Sequence, residues 1–149
     1  MRDAWRSEGE TVVWTNGCFD LLHAGHVQNL VEARSQGDIL VVGLNSDRSI
    51  AEIKGLSRPV IKEHFRARIV AALESVDYVT IFDQPTPMAA IESLKPDIHC
   101  KGEDYANNAK PISERETVER YGGRIHFLAF LPGVSSTAII QHIRETSTD

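Results

Sequence analysis

An α/β fold built on a parallel sheet is predicted for this chain by three observations. Apolar, β-prone runs alternate with stretches of helical periodicity along the chain. The run Ile39 to Leu44 is apolar without alternation, as in a strand covered on both faces. The first strand, turn and helix have the layout of a nucleotide site. The 149 residues suffice for one domain with a sizeable core and not comfortably for two, so 11–149 is expected to form a single domain behind a leader, 1–10. A net charge of −5 argues against broad nucleic-acid binding, which favours a basic surface. Cys18 and Cys100 form no Cys-x-x-Cys, so neither a zinc knuckle nor a redox motif is indicated and a reducing cytosol fits best. Residues 1–9 are too polar for a signal peptide, and no apolar run approaches the roughly 20 residues of a membrane span. A soluble, cytoplasmic protein without membrane partners is expected.

Met1 to Glu10 is charged and aperiodic apart from Trp5, which predicts a loose leader whose indole packs on the body. Thr11 to Thr15 is the first strand. A helix begins near Gly25, carries Val27, Leu30, Val31 and Arg34 at helical spacing, and ends at Gly37. Asp38 to Leu44 is the second strand, and strand, helix, strand implies a right-handed crossover. Ala51 to Val60 reads from its charge as a solvated loop, but its place beside the sheet edge suggests a mobile flap. A helix from Glu63 to Glu74 turns Ile69, Val70 and Leu73 to the sheet and Arg66 and Arg68 to other faces. Strand Tyr78 to Phe82 follows, then a helix, Met88 to Leu94, with Pro85 and Pro87 at its start and Pro96 as its stop. The short strand Ile98 to Cys100 delivers Lys101 to Tyr105 to the sheet edge, and 106–112 reads as an exposed loop. A helix from Ser113 to Tyr121 opens with a Ser113–Glu116 capping box and ends at Gly122-Gly123. Strand Arg124 to Phe130 and helix Ala138 to Arg144 complete a Rossmann-like, doubly wound parallel sheet of five strands in the order 3-2-1-4-5.

The chemistry gathers at strand exits. His23 and His26 stand where a helix begins, and the unpaired N–H groups and partial positive charge there favour an anion. Alone, a His-x-x-His pair reads equally as a fragment of a metal site or as two surface imidazoles. Asn16-Gly17 at the strand exit, Asp20 on the turn and Gly25 between the histidines favour a nucleoside triphosphate. Lys54 and Arg58 suit closure over phosphate, Arg as a bidentate fork and Lys as a point charge. Ser135-Ser136-Thr137 contains a plain N-cap or, as three hydroxyls together at a strand exit, a second phosphate site.

Gly17, Phe19, Asp20, His23, Gly25 and His26 match a G-x-F-D-x-x-H-x-G-H pattern, and the segment resembles the signature of the cytidylyltransferase-like nucleotidyltransferases. Ser135-Ser136-Thr137 is similar to the I-S-S-T or S-T-T segment of that family. Thr15 to Asp20, Leu44-Asn45-Ser46-Asp47 and Lys101-Gly102-x-Asp104-Tyr105 look like the adenylyltransferase branch that serves ADP-heptose synthesis. Phe130 and Leu131 replace the Arg-Thr found before this segment in glycerol-phosphate cytidylyltransferases, while Glu103 for Gly and Ile61 for Asn depart from the heptose enzymes at the acceptor end.

The resemblance implies adenylyl transfer from ATP to a sugar 1-phosphate, with a heptose 1-phosphate giving ADP-heptose and pyrophosphate. It implies His23, His26 and Lys54 as catalytic residues. Nucleotide binding falls to Asn16, Gly17, Cys18, Phe19, Gly25, Lys101, Ser135, Ser136 and Thr137, the last two on the β- and γ-phosphates. Acceptor binding falls to Asp20, Asp47, Arg58, Arg66, Asp104 and Tyr105. Mg²⁺ rides mainly on the phosphates, no protein metal site is implied, and a homodimer is expected. Two alternatives are a CTP-dependent cytidylyltransferase acting on glycerol 3-phosphate or another polyol phosphate, and a non-catalytic nucleotide-binding regulator.

Overall fold

A computed structural model describes residues 1–102, 112–129 and 131–147. Strands β1 (Val12–Gly17), β2 (Ile39–Asn45), β3 (Tyr78–Phe82), β4 (Ile98–Gly102) and β5 (Arg124–Leu128) form one parallel sheet in the order β3-β2-β1-β4-β5. The predicted order therefore holds. β1 pairs with β2 from Val12↔Ile39 to Gly17↔Leu44 and with β4 from Val13↔Ile98 to Thr15↔Cys100. Side chains alternate across the sheet. Val13 packs with Leu30 and Ala33 of α2 (Ala24–Arg34) and Val70 of α4 (Glu63–Ala71). Val12 and Trp14 pack on the other face with Trp5 of α1 (Arg2–Ser7), Ile91 of α5 (Met88–Leu94) and Val118 of α6 (Arg115–Arg120). The helices that follow β1 and β4 thus leave to opposite faces, which opens a crevice between these strands at their carboxyl ends. Gly43 contributes to the second face by lacking a Cβ, which would run into the Trp14 indole.

Several elements differ from expectation. The leader is the helix α1: Arg2 holds both oxygens of Asp97 at 2.9 Å, and the Trp5 ring lies 5.0 Å from that of Tyr78. The indole packs as expected, while the charged residues read as irregular because six residues are too few to show a period. The stretch expected to be a loop from Ala51 begins within α3 (Asp47–Lys54), a helix capped by the Ser46 hydroxyl accepting from the Ser49 amide at 3.1 Å. Only 55–62 between α3 and α4 is irregular. Arg66 was expected on an outer face of α4 and is completely buried, whereas Ile69, expected inside, is 40% exposed. The Ser113–Glu116 capping box does not form, since Glu114 occupies the N-cap position of α6 and makes no side-chain cap bond. α7 (Ser136–Thr146) begins two residues early because Ser135 caps it, its Oγ accepting from the Ala138 amide at 3.1 Å. Among the described residues no helix is long and apolar enough to cross a membrane.

His99 on β4 is fully buried and neither ring nitrogen has a hydrogen-bond partner. Burial, helped by the charge of Lys101, holds its imidazole down at about 3, against an ordinary value of 6.5. The unfolded chain therefore takes up a proton near pH 6.5 that the folded protein refuses. Stability is full above that pH and is lost as pH falls through the window toward 3, with a cost from this group on the order of 2 kcal/mol by pH 5. Thermal midpoints measured from pH 7 to 4.5 should fall, and His99→Met should flatten the decline. An equal decline in the variant would assign it to other groups.

Candidate functional site

The turn from β1 into α2 brings backbone, imidazoles and cavity together. Phe19 sits at φ 47, a left-handed conformation that costs energy for a non-glycine residue, and its ring centroid lies 5.2 Å from that of His26. His23 is the N-cap of α2, and its backbone N–H donates to His26 Nδ1 at 3.3 Å. The two rings stack at 3.8 Å with 24° between their planes. Burial lowers His23; burial, the neighbouring His23 and the charge of Lys54 push His26 down to about 4. His26 is therefore a neutral imidazole at pH 7. With Nδ1 accepting, its proton sits on Nε2, so the ring is a hydrogen-bond donor at that atom.

His26 lines a cavity of about 510 Å³ that spans the β1/β4 crevice. Thr15 to Phe19 form one wall, with Asn29 and Leu30 of α2 beside them. Cys100 to Gly102, Ser113, Glu114 and Leu128 form the side toward β4 and β5, and Asn45, Ile53 and Pro85 to Pro87 form the side toward β2 and β3. Lys101 pairs with Glu114 at 3.4 Å, their side chains 10% and 5% exposed. A second cavity, about 410 Å³, lies between the end of α3 and α7; Lys54, Ser57, Arg58, Thr137, Gln141 and Arg144 are among its lining residues. Its three cations and two hydroxyls suit an anion.

Asp20 and Arg66 prove to be struts. Asp20 is 2% exposed and accepts from the Val60 amide at 2.8 Å, the Ile61 amide at 2.9 Å and Arg58 Nε at 2.6 Å. Burial alone would raise its carboxyl, but the Ile61 and Val60 amides and Arg58 outweigh it and hold the group below its ordinary value. Arg66 donates to the Ile61 carbonyl at 2.9 Å, the Cys18 carbonyl at 2.6 Å and Asp47 Oδ1 at 2.9 Å. Together they lock residues 18–20 onto 58–61 and the start of α3. Both were expected to contact the acceptor; in the structure their polar atoms bond the protein itself. Asp47 likewise pairs with Arg66 and, at 3.7 Å, with Lys62, and does not line the larger cavity.

Of the sequence-predicted residues, Asn16, Gly17, Cys18, Phe19, His26 and Lys101 meet in the larger cavity, and Lys54, Arg58 and Thr137 in the smaller. Gly25 is buried under the His23 ring, which a Cβ would approach to 3.1 Å. Ser135 serves as the cap of α7, and the Ser136 hydroxyl bonds the Leu21 carbonyl at 3.4 Å. Asp104 and Tyr105 lie outside the described residues. Sequence reasoning missed Asn29, Asn45, Ile53, Pro85 to Pro87, Ser113 and Glu114 as cavity residues. Asn29 was within reach, because it follows His26 by one helical turn. Among the described residues no group of three or more His, Cys, Asp or Glu side chains is placed to hold a metal ion.

A neutral histidine pair at a helix start, set at the switch point of a parallel sheet, defines a nucleotide-handling α/β domain. The family model for cytidylyltransferase-like proteins matches residues 14–142, and the chain belongs to that nucleotidyltransferase family. It is similar to the Bifunctional protein HldE of Pelobacter propionicus, 50% identical over 143 residues, which cover 96% of this chain and 29% of that protein. Against the Bifunctional protein HldE of Citrifermentans bemidjiense it is 53% identical over 137 residues, 92% of this chain and 28% of the relative. The chain thus spans less than a third of the length of these relatives. The crystal structure of the lipopolysaccharide core biosynthesis protein from Thermoplasma volcanium superposes with a TM-score of 0.66 at 28% identity, covering 83% of this chain and 98% of that one. A protein of unknown function from Archaeoglobus fulgidus, at TM-score 0.57 and 22% identity over 80% of this chain and 98% of its own, shares the fold.

Proposed function

We propose that the chain transfers the adenylyl group of ATP to a sugar 1-phosphate, with heptose 1-phosphate as acceptor and ADP-heptose and pyrophosphate as products. The observation that carries the reading is the neutral His26, its Nδ1 held by the His23 amide and its Nε2–H available at the β1/β4 crevice. Support for the acceptor comes from the Thr15 to Asp20 and Lys101-Gly102 motifs, and from likeness to a protein named for lipopolysaccharide core biosynthesis. Adenylyl transfer requires ATP, and both cysteines are free, which together favour the cytoplasm. The resemblance also implies a homodimer, which sedimentation equilibrium measures directly.

In the reaction an acceptor phosphate oxygen forms a bond to the α-phosphorus in line, while the bond from that phosphorus to the α,β-bridging oxygen breaks and pyrophosphate leaves. Such a step needs positioning and neutralisation of charge more than covalent help. His26 donates from Nε2 to the α-phosphate region as charge builds, with His23 holding its ring. Lys54, close enough for its charge to depress His26, steadies the same oxygens, and Thr137 with the start of α7 receives the departing phosphates. Asp20 and Arg66 act as positioning residues. Mg²⁺ fits this donor set as a phosphate-borne ion that neutralises charge when bound, since it keeps several waters and Asp20 is already engaged.

The test is a pyrophosphate-release screen of the four nucleoside triphosphates against sugar and polyol phosphates. Turnover of ATP with a heptose 1-phosphate is expected, and no turnover with any pair would favour a nucleotide-binding regulator. In the same assay Lys54→Ala should bind ATP nearly as well as the parent but turn over about 10²-fold more slowly, because its charge is needed most as the transition state forms. A weakened Kd with unchanged kcat would make Lys54 a ground-state ligand instead.

A further inference from the structure

Asn29 lines the larger cavity, and its side-chain Oδ1 is buried with no hydrogen-bond partner among the described residues. A buried acceptor left unpaired destabilises a fold, so its persistence beside a ligand cavity points to a donor supplied by the ligand. Phosphate oxygens offer no such donor. Asn29 also stands one turn beyond His26 on the same face of α2, with Cβ atoms about 5–6 Å apart at that spacing. A nucleotide whose α-phosphate lies at His26 can extend its base along α2 toward Asn29. Leu128, at 3% exposure, lines the same cavity, and the buried Leu30 backs its wall, so the surroundings are apolar.

We infer that Asn29 reads the adenine base, its carboxamide oxygen accepting from the 6-amino group and its amide nitrogen donating to N7. A carboxamide presents an acceptor and a donor side by side, which matches this edge of adenine and mismatches guanine, where both positions are acceptors. The inference rests on the adenylyl reading above and adds the residue that selects the nucleotide.

The experiment measures Kd with Mg²⁺ for ATP, for purine riboside triphosphate, which lacks the amino group, and for 7-deaza-ATP, using the parent protein, Asn29→Leu and Asn29→Asp. The parent should bind each analogue about 10- to 100-fold more weakly than ATP. Asn29→Leu should bind all three equally, at the level of the weaker ligands, with a thermal midpoint no lower than the parent, since the substitution removes an unsatisfied acceptor. Asn29→Asp keeps the acceptor and loses the donor, so it should still prefer the amino group while becoming indifferent to N7. Analogue penalties that persist undiminished in Asn29→Leu would overturn the inference, as would a midpoint several degrees below the parent, which would mark a structural role. The adenylyl reading fails separately, through absence of ATP turnover in the pyrophosphate assay.

Discussion

His26→Ala is expected to lower kcat about 10²- to 10³-fold, the scale for losing one donor to developing charge in a preorganised site. The loss should appear in kcat and kcat/KM together, because a donor that strengthens as charge builds contributes least to ground-state binding. Folding should change little: His26 lies at the cavity wall, and the one hydrogen bond lost leaves the His23 amide at a helix start where water reaches it. With its pKa pushed down to about 4 the ring is neutral around pH 6 to 7, so the activity of the parent should not track a histidine titrating near 6.5 in the free protein. Nearly normal turnover by a folded His26→Ala protein would remove this residue from the mechanism.

Arg66→Met should produce the largest loss of stability. Three nitrogens of a guanidinium at 0% exposure hold the Cys18 and Ile61 carbonyls and the Asp47 carboxylate. Methionine fills the volume of the stem but leaves those acceptors without their donor. Removing one partner from a buried charge pair costs about 3–5 kcal/mol, which for a domain of this size lowers the thermal midpoint by roughly 10 °C. Arg66→Lys should rescue little, because a point charge cannot serve three acceptors in the geometry of a planar fork. Turnover measured well below the midpoint should also drop, since Cys18 is on the turn that leads to His26 and Ile61 belongs to the segment tied to Asp20. A midpoint unchanged in Arg66→Met would contradict the strut.

The contrast between these residues explains what was legible in the sequence. His26 and its turn occupy one contiguous segment, so residue types at fixed spacing disclosed the helix start. β2 was the most legible strand because a parallel strand covered on both faces is apolar without alternation, as Ile39 to Leu44 are, and all seven of its residues are buried. The burial of Arg66 and Asp20 was not legible because charge in a sequence signals exposure unless partners are known. Two of the three partners of Arg66 lie 48 and 19 residues away, beyond any local window. α3 was hidden for a related reason: Asp47 to Lys54 holds few apolar residues, and what makes it a helix is a serine cap and the burial of Ile50. Glu114 looked like the interior of a capping box, and only the fold brings it to Lys101 across the cavity.

The central claim concerns which pair of substrates this site joins. It is tested most directly by comparing kcat/KM for ATP with D-glycero-D-manno-heptose 1-phosphate against CTP with glycerol 3-phosphate, both with Mg²⁺ and both followed by pyrophosphate release. A strong preference for the ATP pair is expected, because a pocket that pairs with one base leaves buried groups unsatisfied with another. A preference for the CTP pair would contradict the adenylyl assignment and make the chain a cytidylyltransferase for polyol phosphates.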